Sequence, residues 1–232
     1  MAQAMQEDDL ACSLIGVASS PTKVRALHEI LGGFCHQCRN TLNSLKLSLY
    51  LTKRDTTHEA SPLWGELDQR YKEVELIFDR LQAVCRPMTL TPIKASLSLI
   101  MNDLGPAWIS AMAERDRSLH LIPPGTSDVG DFDPIRLPDC LNTFVLWRAE
   151  VGEQGQPAQL GWGIHENQFV IEWDEPSSLG IGDSAVDPAR SDPLALPLLA
   201  RVLSAHGGTM TLEYHDGLHL RATWPLNVRP TL

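Results

Sequence analysis

At 232 residues, 43% of them apolar, the chain is long enough for one large domain or two modest ones, each with a real core. Twenty-nine acidic against nineteen basic side chains set the formal net charge at -10, which repels a phosphate backbone, and no basic patch offsets it, so nucleic acid is not an expected partner. No stretch reaches the apolar length of a membrane span and the opening MAQAMQEDDL lacks the order of a secretion signal, so a cytoplasmic protein with no membrane partner is expected.

From Thr22 onward the apolar residues Leu27, Leu31, Phe34, Cys38, Leu42, Leu45 and Leu49 recur at steps of 4, 3, 4, 4, 3 and 4, the period of a helix with one buried stripe, and Pro21 suits its entrance. A second stripe, Leu67, Tyr71, Val74, Phe78, Leu81 and Cys85, stops before Arg86-Pro87. The polar stretch LTKRDTTHEASP separates them, so residues 22–51 and about 63–85 predict an antiparallel helical hairpin whose first helix is about 45 Å long. Ile30, Leu47 and Leu51 lie beside the main stripe, and two helices cannot enclose them all. Pairing with the same hairpin of a second copy solves this, which predicts a homodimer built on a four-helix bundle.

The cysteines, Cys12, Cys35, Cys38, Cys85 and Cys140, are odd in number and spread along a chain that needs no staples, so reduced thiols are expected. Cys35 and Cys38 have the CxxC spacing, and with His28 or His36 they offer zinc ligands, but no second pair closes a four-ligand site. A redox pair would need a strand leading into the motif, and the pattern here is helical. Neither a metal nor a cofactor is expected.

After Pro87 the texture changes. MTLTP reads as a short strand and the following segment as a helix broken near Gly105-Pro106; LIPPGTSDVGDFDP reads as a loop, and PIRLPDCLNTFVLWRAE as a helix with proline at its start. Two hairpins follow, turning at Glu166-Asn167 and at Asp216-Gly217, with the helix LALPLLARVLSAHGG between them closed by Gly207-Gly208. Helices alternating with antiparallel strands predict a two-layer α/β sandwich. The class is α+β, with domains at 1–86 and 87–232.

Within the first helix, His36 lies two residues from both Phe34 and Cys38, hence about 200° around the axis from the stripe. A surface histidine or a secondary packing contact would account for it. Its company supports more: Arg39 and Asn40, three and four residues on, share its face. An imidazole nitrogen is a good nucleophile near neutral pH, and an adjacent guanidinium can hold phosphoryl oxygens.

These residues resemble the dimerisation and histidine-phosphotransfer domain of two-component histidine kinases. HQCRNTLN matches the phosphoacceptor box, with His36 as the acceptor and Asn40 at its Asn or Thr position, but Gln37 replaces the acid that serves as a base in the kinases. The rest of the chain resembles the kinase ATP-binding domain: TLTPIKASLSLIMNDLGPAWISAMAERDRSLHL its opening strand and helix, FDPIRLPDCLNTFVL its asparagine box, FVIEWDE the strand before its aspartate box, and LALPLLARVLSAHGGTMTLEY its last helix and following strand. Each nucleotide element departs from the pattern. Four residues beyond Asn142 stands Leu146, or Trp147 in the shifted register, where magnesium needs an Asn; Asp174 is followed by Glu175, Pro176, Ser177 and Ser178 where glycines belong; the lid is reduced to LGIGD, Leu179 to Asp183.

The resemblance implies a histidine phosphotransferase with a degenerate ATP-binding domain. It would carry a phosphoryl group between receiver-domain aspartates through His36, assisted by Arg39 and Asn40, without autokinase activity. Its implied partners are response-regulator receiver domains and a hybrid histidine kinase. The alternative is a non-catalytic scaffold or antagonist that binds response regulators or a kinase.

Overall fold

In a computed structural model of the chain, the residues described are 13, 15–55, 62–86, 88–176, 194–214 and 217–227. The chain divides into two compact units: Pro21–Pro87, and Met1–Ser20 together with Met88–Leu232.

The first unit holds α1 (Pro21–Asp55) and α2 (Pro62–Cys85). Proline opens both, at the position where its missing N–H costs nothing and its fixed φ already suits the helix. Arg39 pairs with Asp79, and Lys46 with Glu75 at 3.6 Å; moving forward along α1 moves backward along α2, so the helices run antiparallel. Between them the expected stripe divides. Leu42, Leu49, Phe78 and Leu81 are half-buried and Tyr71 is buried, whereas Leu45, Leu67 and Val74 remain 49%, 41% and 42% exposed. Leu47, Tyr50, Leu51 and Leu76 are also exposed.

The second unit contains β1 (Ile93–Ser96), α3 (Leu97–Ala113), β2 (Ser118–Ile122), β3 (Val129–Phe132), α4 (Arg136–Val151), β4 (Pro157–His165), β5 (Gln168–Pro176), α5 (Ala195–Ala205), β6 (Thr209–Tyr214) and β7 (Gly217–Pro225). Strands β2-β4-β5-β7-β6 form a mixed sheet in that order, with β2 parallel to β4 and the other pairs antiparallel, and β1 pairs with β3 in a separate ribbon. Alternation places Phe169, Ile171 and Trp173 of β5 and Leu220, Ala222 and Trp224 of β7 in one core with Trp108, Met112, Phe144 and Leu203 of the helices. Each such large side chain contributes roughly 1.5–3 kcal/mol by leaving water. The unit is α+β, a helical layer on a mixed sheet.

Ile15 packs against this core, and the Ser204 hydroxyl donates to the Ser19 carbonyl at 3.1 Å, which attaches the described part of the first twenty residues to the α/β unit. Three local expectations change. MTLTP is not a strand; β1 begins at Ile93. Helix α3 continues through Gly105 and Pro106: a Cβ at position 105 would stand 2.6 Å from Leu121 Cδ1, so the glycine permits close packing on β2 instead of breaking the helix. The turn-rich segment expected as a loop supplies the end of β2 and all of β3.

The hairpin turn at Glu166-Asn167 is as expected, with both residues left-handed at φ 50 and 64, the backbone that a tight two-residue connection between twisted strands requires. Gly207, at φ 76, closes α5. Strands β6 and β7 pair with Tyr214 opposite Leu218; Asp216, expected in that turn, lies outside the described residues. Among the described residues no helix is long and apolar enough to cross a membrane.

Candidate functional site

Helix α1 is unbroken from Pro21 to Asp55, so positions 36, 39, 40 and 43 lie along one face at helical spacing. The helix backbone is described at His36; its side chain lies outside the described residues, as does that of Cys35. Arg39 Nη2 donates to Asp79 Oδ1 on α2, with 46% and 56% of the two side chains exposed. Asn40 is exposed, and its backbone carbonyl accepts the Ser44 hydroxyl at 2.9 Å. Arg39, Leu42, Asn43, Glu75, Phe78 and Asp79 line a small open groove between the helices. Below it, Lys46 Nζ lies 5.0 Å from the centroid of the Tyr71 ring, and the Tyr71 hydroxyl donates to Glu75 Oε1 at 3.4 Å.

The face therefore presents a cation already directed by a carboxylate, and an amide beside it. An exposed pair of this kind is worth ~0–1 kcal/mol, so an incoming anion can share or replace it cheaply. Sequence reading selected Arg39 and Asn40 but missed Asp79, which is followed on α2 by Arg80 and preceded by Phe78 and gives no periodic signal of its own. Cys38 and Cys140 are free thiols, and burial pushes the Cys140 thiol far up, beyond reach as a thiolate. Among the described residues no group of His, Cys, Asp and Glu is placed to hold a metal.

In the α/β unit the residues that would serve a nucleotide are engaged elsewhere. Asn142 Oδ1 accepts from the indole Nε1 of the fully buried Trp108 at 3.0 Å. Leu146, where the resemblance expects an asparagine, is 41% exposed. Trp147 is half-buried beneath the Arg148 guanidinium, 4.8 Å from its ring. Asp174 projects from the face of the sheet opposite the helices and pairs there with His219 Nδ1 at 3.1 Å. Ser177, Ser178 and the glycines of LGIGD lie outside the described residues.

On the helix side of the same strand stands Glu175, buried. Arg148 grips it in two bonds of 2.8 Å, Trp173 Nε1 donates at 3.0 Å, and the buried Arg117 adds Nη2. Burial alone would raise the Glu175 pKa, but the hydrogen bonds and charge of Arg148, with Arg117 behind, hold it below the usual carboxylate value. The acid at the end of β5 is thus an internal anchor between strand and helix.

No protein-family profile matches the sequence, and neither does any curated protein. Solved structures do match in fold. The histidine kinase AdeS of Acinetobacter baumannii aligns over 82% of this chain and 98% of its own, with a TM-score of 0.57 and 12% identity. Full-length ShkA, solved in complex with AMPPNP, aligns over 88% of this chain with a TM-score of 0.64 and 13% identity, this chain spanning 47% of its length. The catalytic domain of the histidine kinase ThkA aligns over 60% of this chain and 97% of its own, with a TM-score of 0.51 and 10% identity. In fold, the chain has a histidine-kinase-like core.

Proposed function

We propose that the chain is a histidine phosphotransferase of a phosphorelay, working as a cytoplasmic homodimer and accepting phosphoryl groups from receiver-domain aspartates on His36. The observation that carries this reading is the contrast between the two units. Position 36 sits on an unbroken helix face with Arg39 and Asn40, while Asn142, Asp174 and Glu175 are committed to Trp108, His219 and the two arginines. A relay protein needs the first face and has no use for magnesium-ATP.

In the transfer step the lone pair of the unprotonated His36 nitrogen forms an N–P bond as the P–O bond to the receiver's aspartate breaks, and the carboxylate leaves with that bond's electron pair. Charge gathers on the equatorial phosphoryl oxygens, where Arg39 and Asn40 donate hydrogen bonds. The attacking nitrogen must be unprotonated but needs no removal of a proton, so Gln37 in place of an acid is compatible with transfer from an acyl phosphate.

A second reading, a scaffold that binds receivers without carrying phosphate, draws support from the Arg39–Asp79 pair, because the cation already has an anionic partner. The test is transfer from aspartyl-phosphorylated receiver domains of the source organism to the full chain. Wild type should acquire acid-labile, base-stable label, His36→Ala none, and His28→Ala as much as wild type; magnesium-ATP alone should label none of them. Equal labelling in wild type and His36→Ala removes His36 as the acceptor, and no labelling across the receivers favours the scaffold.

A further inference from the structure

Resting on the phosphotransfer reading, we propose that Asp79 is a positioning residue for that transfer: its carboxylate fixes the Arg39 guanidinium at the hairpin groove, one helical turn from position 36, where it meets the phosphoryl oxygens. The bond joins two helices through side chains forty residues apart, and both groups remain about half exposed. An exposed, solvent-screened pair adds little to stability, so it does little to hold the hairpin together. It acts instead on freedom of motion. A long arginine side chain gives up rotamer entropy when an anion captures it, and a carboxylate that restricts it beforehand removes part of that cost.

The geometry leaves room for both partners. A guanidinium donates from a rigid planar fork; Asp79 takes Nη2, and another edge of the fork can face the phosphoryl group. The second acid of the groove does not compete, because Glu75 is engaged by Lys46 at 3.6 Å and by the Tyr71 hydroxyl at 3.4 Å. Glu75 thus pairs with Lys46 and Asp79 with Arg39, the cation on the face of position 36. During transfer Asp79 neither bonds to phosphorus nor moves a proton; it keeps Arg39 aligned while charge builds on the equatorial oxygens.

Single-turnover transfer from aspartyl-phosphorylated receiver domains to the full chain tests this. Asp79→Asn should lower the saturating rate about tenfold while the half-saturating receiver concentration stays within about twofold, as expected for an interaction realised in the transition state. Asp79→Glu should restore most of the rate. In an Arg39→Ala background, adding Asp79→Asn should change the rate by less than about twofold, because a residue acting through Arg39 has nothing left to position. Circular dichroism and sedimentation of each variant establish that helix content and assembly are unchanged.

Transfer by Asp79→Asn as fast as wild type or faster, or a full additional loss in the Arg39→Ala background, overturns the proposal while leaving the phosphotransfer reading intact. A wild-type chain that accepts no label removes that reading and this role with it.

Discussion

Two aspartates in the segment DVGDFD pin the starts of two helices from outside them. Asp128 accepts the Ser98 backbone N–H and hydroxyl, each at 2.6 Å, and the Ser96 hydroxyl at the entrance to α3; Trp162 Nε1 donates to the same Ser98 hydroxyl at 2.9 Å. Asp133 accepts the backbone N–H groups of Ile135 at 3.0 Å and Arg136 at 2.8 Å, at the entrance to α4, and of Thr91 at 2.8 Å. Burial would raise both pKa values, but hydrogen bonds to the ionised form prevail, from Ser96 and Ser98 for Asp128 and chiefly from the Arg136 N–H for Asp133, so both lie below the usual carboxylate value. Beside them His206, buried, receives the Asp133 N–H on Nε2 at 2.9 Å and has Nδ1 2.7 Å from the Val202 carbonyl, an arrangement that requires the proton on Nδ1. Desolvation lowers its pKa against the weaker opposing effects of that carbonyl and the Asp133 charge. A histidine depressed in the folded state stabilises fully above its unfolded pKa of about 6.5 and loses that contribution as pH falls toward the folded value. The carboxylates, depressed in the same sense, contribute above about pH 4 and fail only below it. Acid should therefore act in two stages. The urea midpoint of the wild type should drop between pH 7 and 5, and His206→Gln should be about 1–3 kcal/mol less stable at pH 7 but lack that drop. A drop of equal size in the variant would assign it to other groups.

At the scale of elements, the anchor at the end of β5 gives Glu175, which follows Asp174 where the resemblance expects glycine, a structural role. Glu175 follows Asp174 on the alternation of the strand, so one acid faces solvent and the other the helical layer. A buried carboxylate is tolerable only with its partners, and here Arg148 comes from α4 and Arg117 from the segment between α3 and β2. Gly152 belongs to the same device: a Cβ there would lie 1.9 Å from Arg117 Nη1. Removing the carboxylate charge strands two arginines, one with a fully buried side chain. Glu175→Gln should therefore destabilise the α/β unit by about 3–5 kcal/mol, read as a lower denaturant midpoint with unchanged slope. A loss under about 1 kcal/mol would mean that water reaches the arginines. None of this was legible beforehand, because the three charged residues are far apart in sequence and form no motif. What was legible followed from periodicity and turn chemistry: both long helices, the Glu166-Asn167 hairpin and the Gly207 closure. Gly105 and Pro106 misled for the opposite reason, since a glycine needed for close packing on Leu121 has the same letter as one that ends a helix. In the candidate site the residues that share a helix, Arg39 and Asn40, could be read from spacing; Asp79 required the pairing of α1 with α2.

For the molecule as a whole, the apolar side chains that the hairpin leaves exposed bear on the assembly we propose. Leu45, Leu47, Tyr50, Leu51, Leu67, Val74 and Leu76 are 41–64% exposed, a density of apolar side chains unusual for a surface that faces only water. Burying the exposed part of each is worth about 1 kcal/mol, so two copies supply at most on the order of 14 kcal/mol before costs. Association itself costs roughly 4–15 kcal/mol, so the dimer is stable at the low end of that cost and absent at the high end. A twofold partner presenting the same hairpin brings the same patch, and closure of the pair leaves no unpaired copy to propagate a fibre. Sedimentation equilibrium at micromolar concentration should then report twice the 25.7 kDa chain mass. Leu45→Glu places a carboxylate in the buried seam twice per dimer, losing about 1.5 kcal/mol or more in each copy, and should weaken dimerisation by at least about a hundredfold. Glu substituted for Asn40 serves as the comparison: Asn40 is exposed and lies off the principal stripe that carries Leu45, and the same charge there should weaken the dimer less. A wild-type chain that sediments as a monomer would reject the bundle, and equal weakening by both substitutions would place the seam elsewhere on α1.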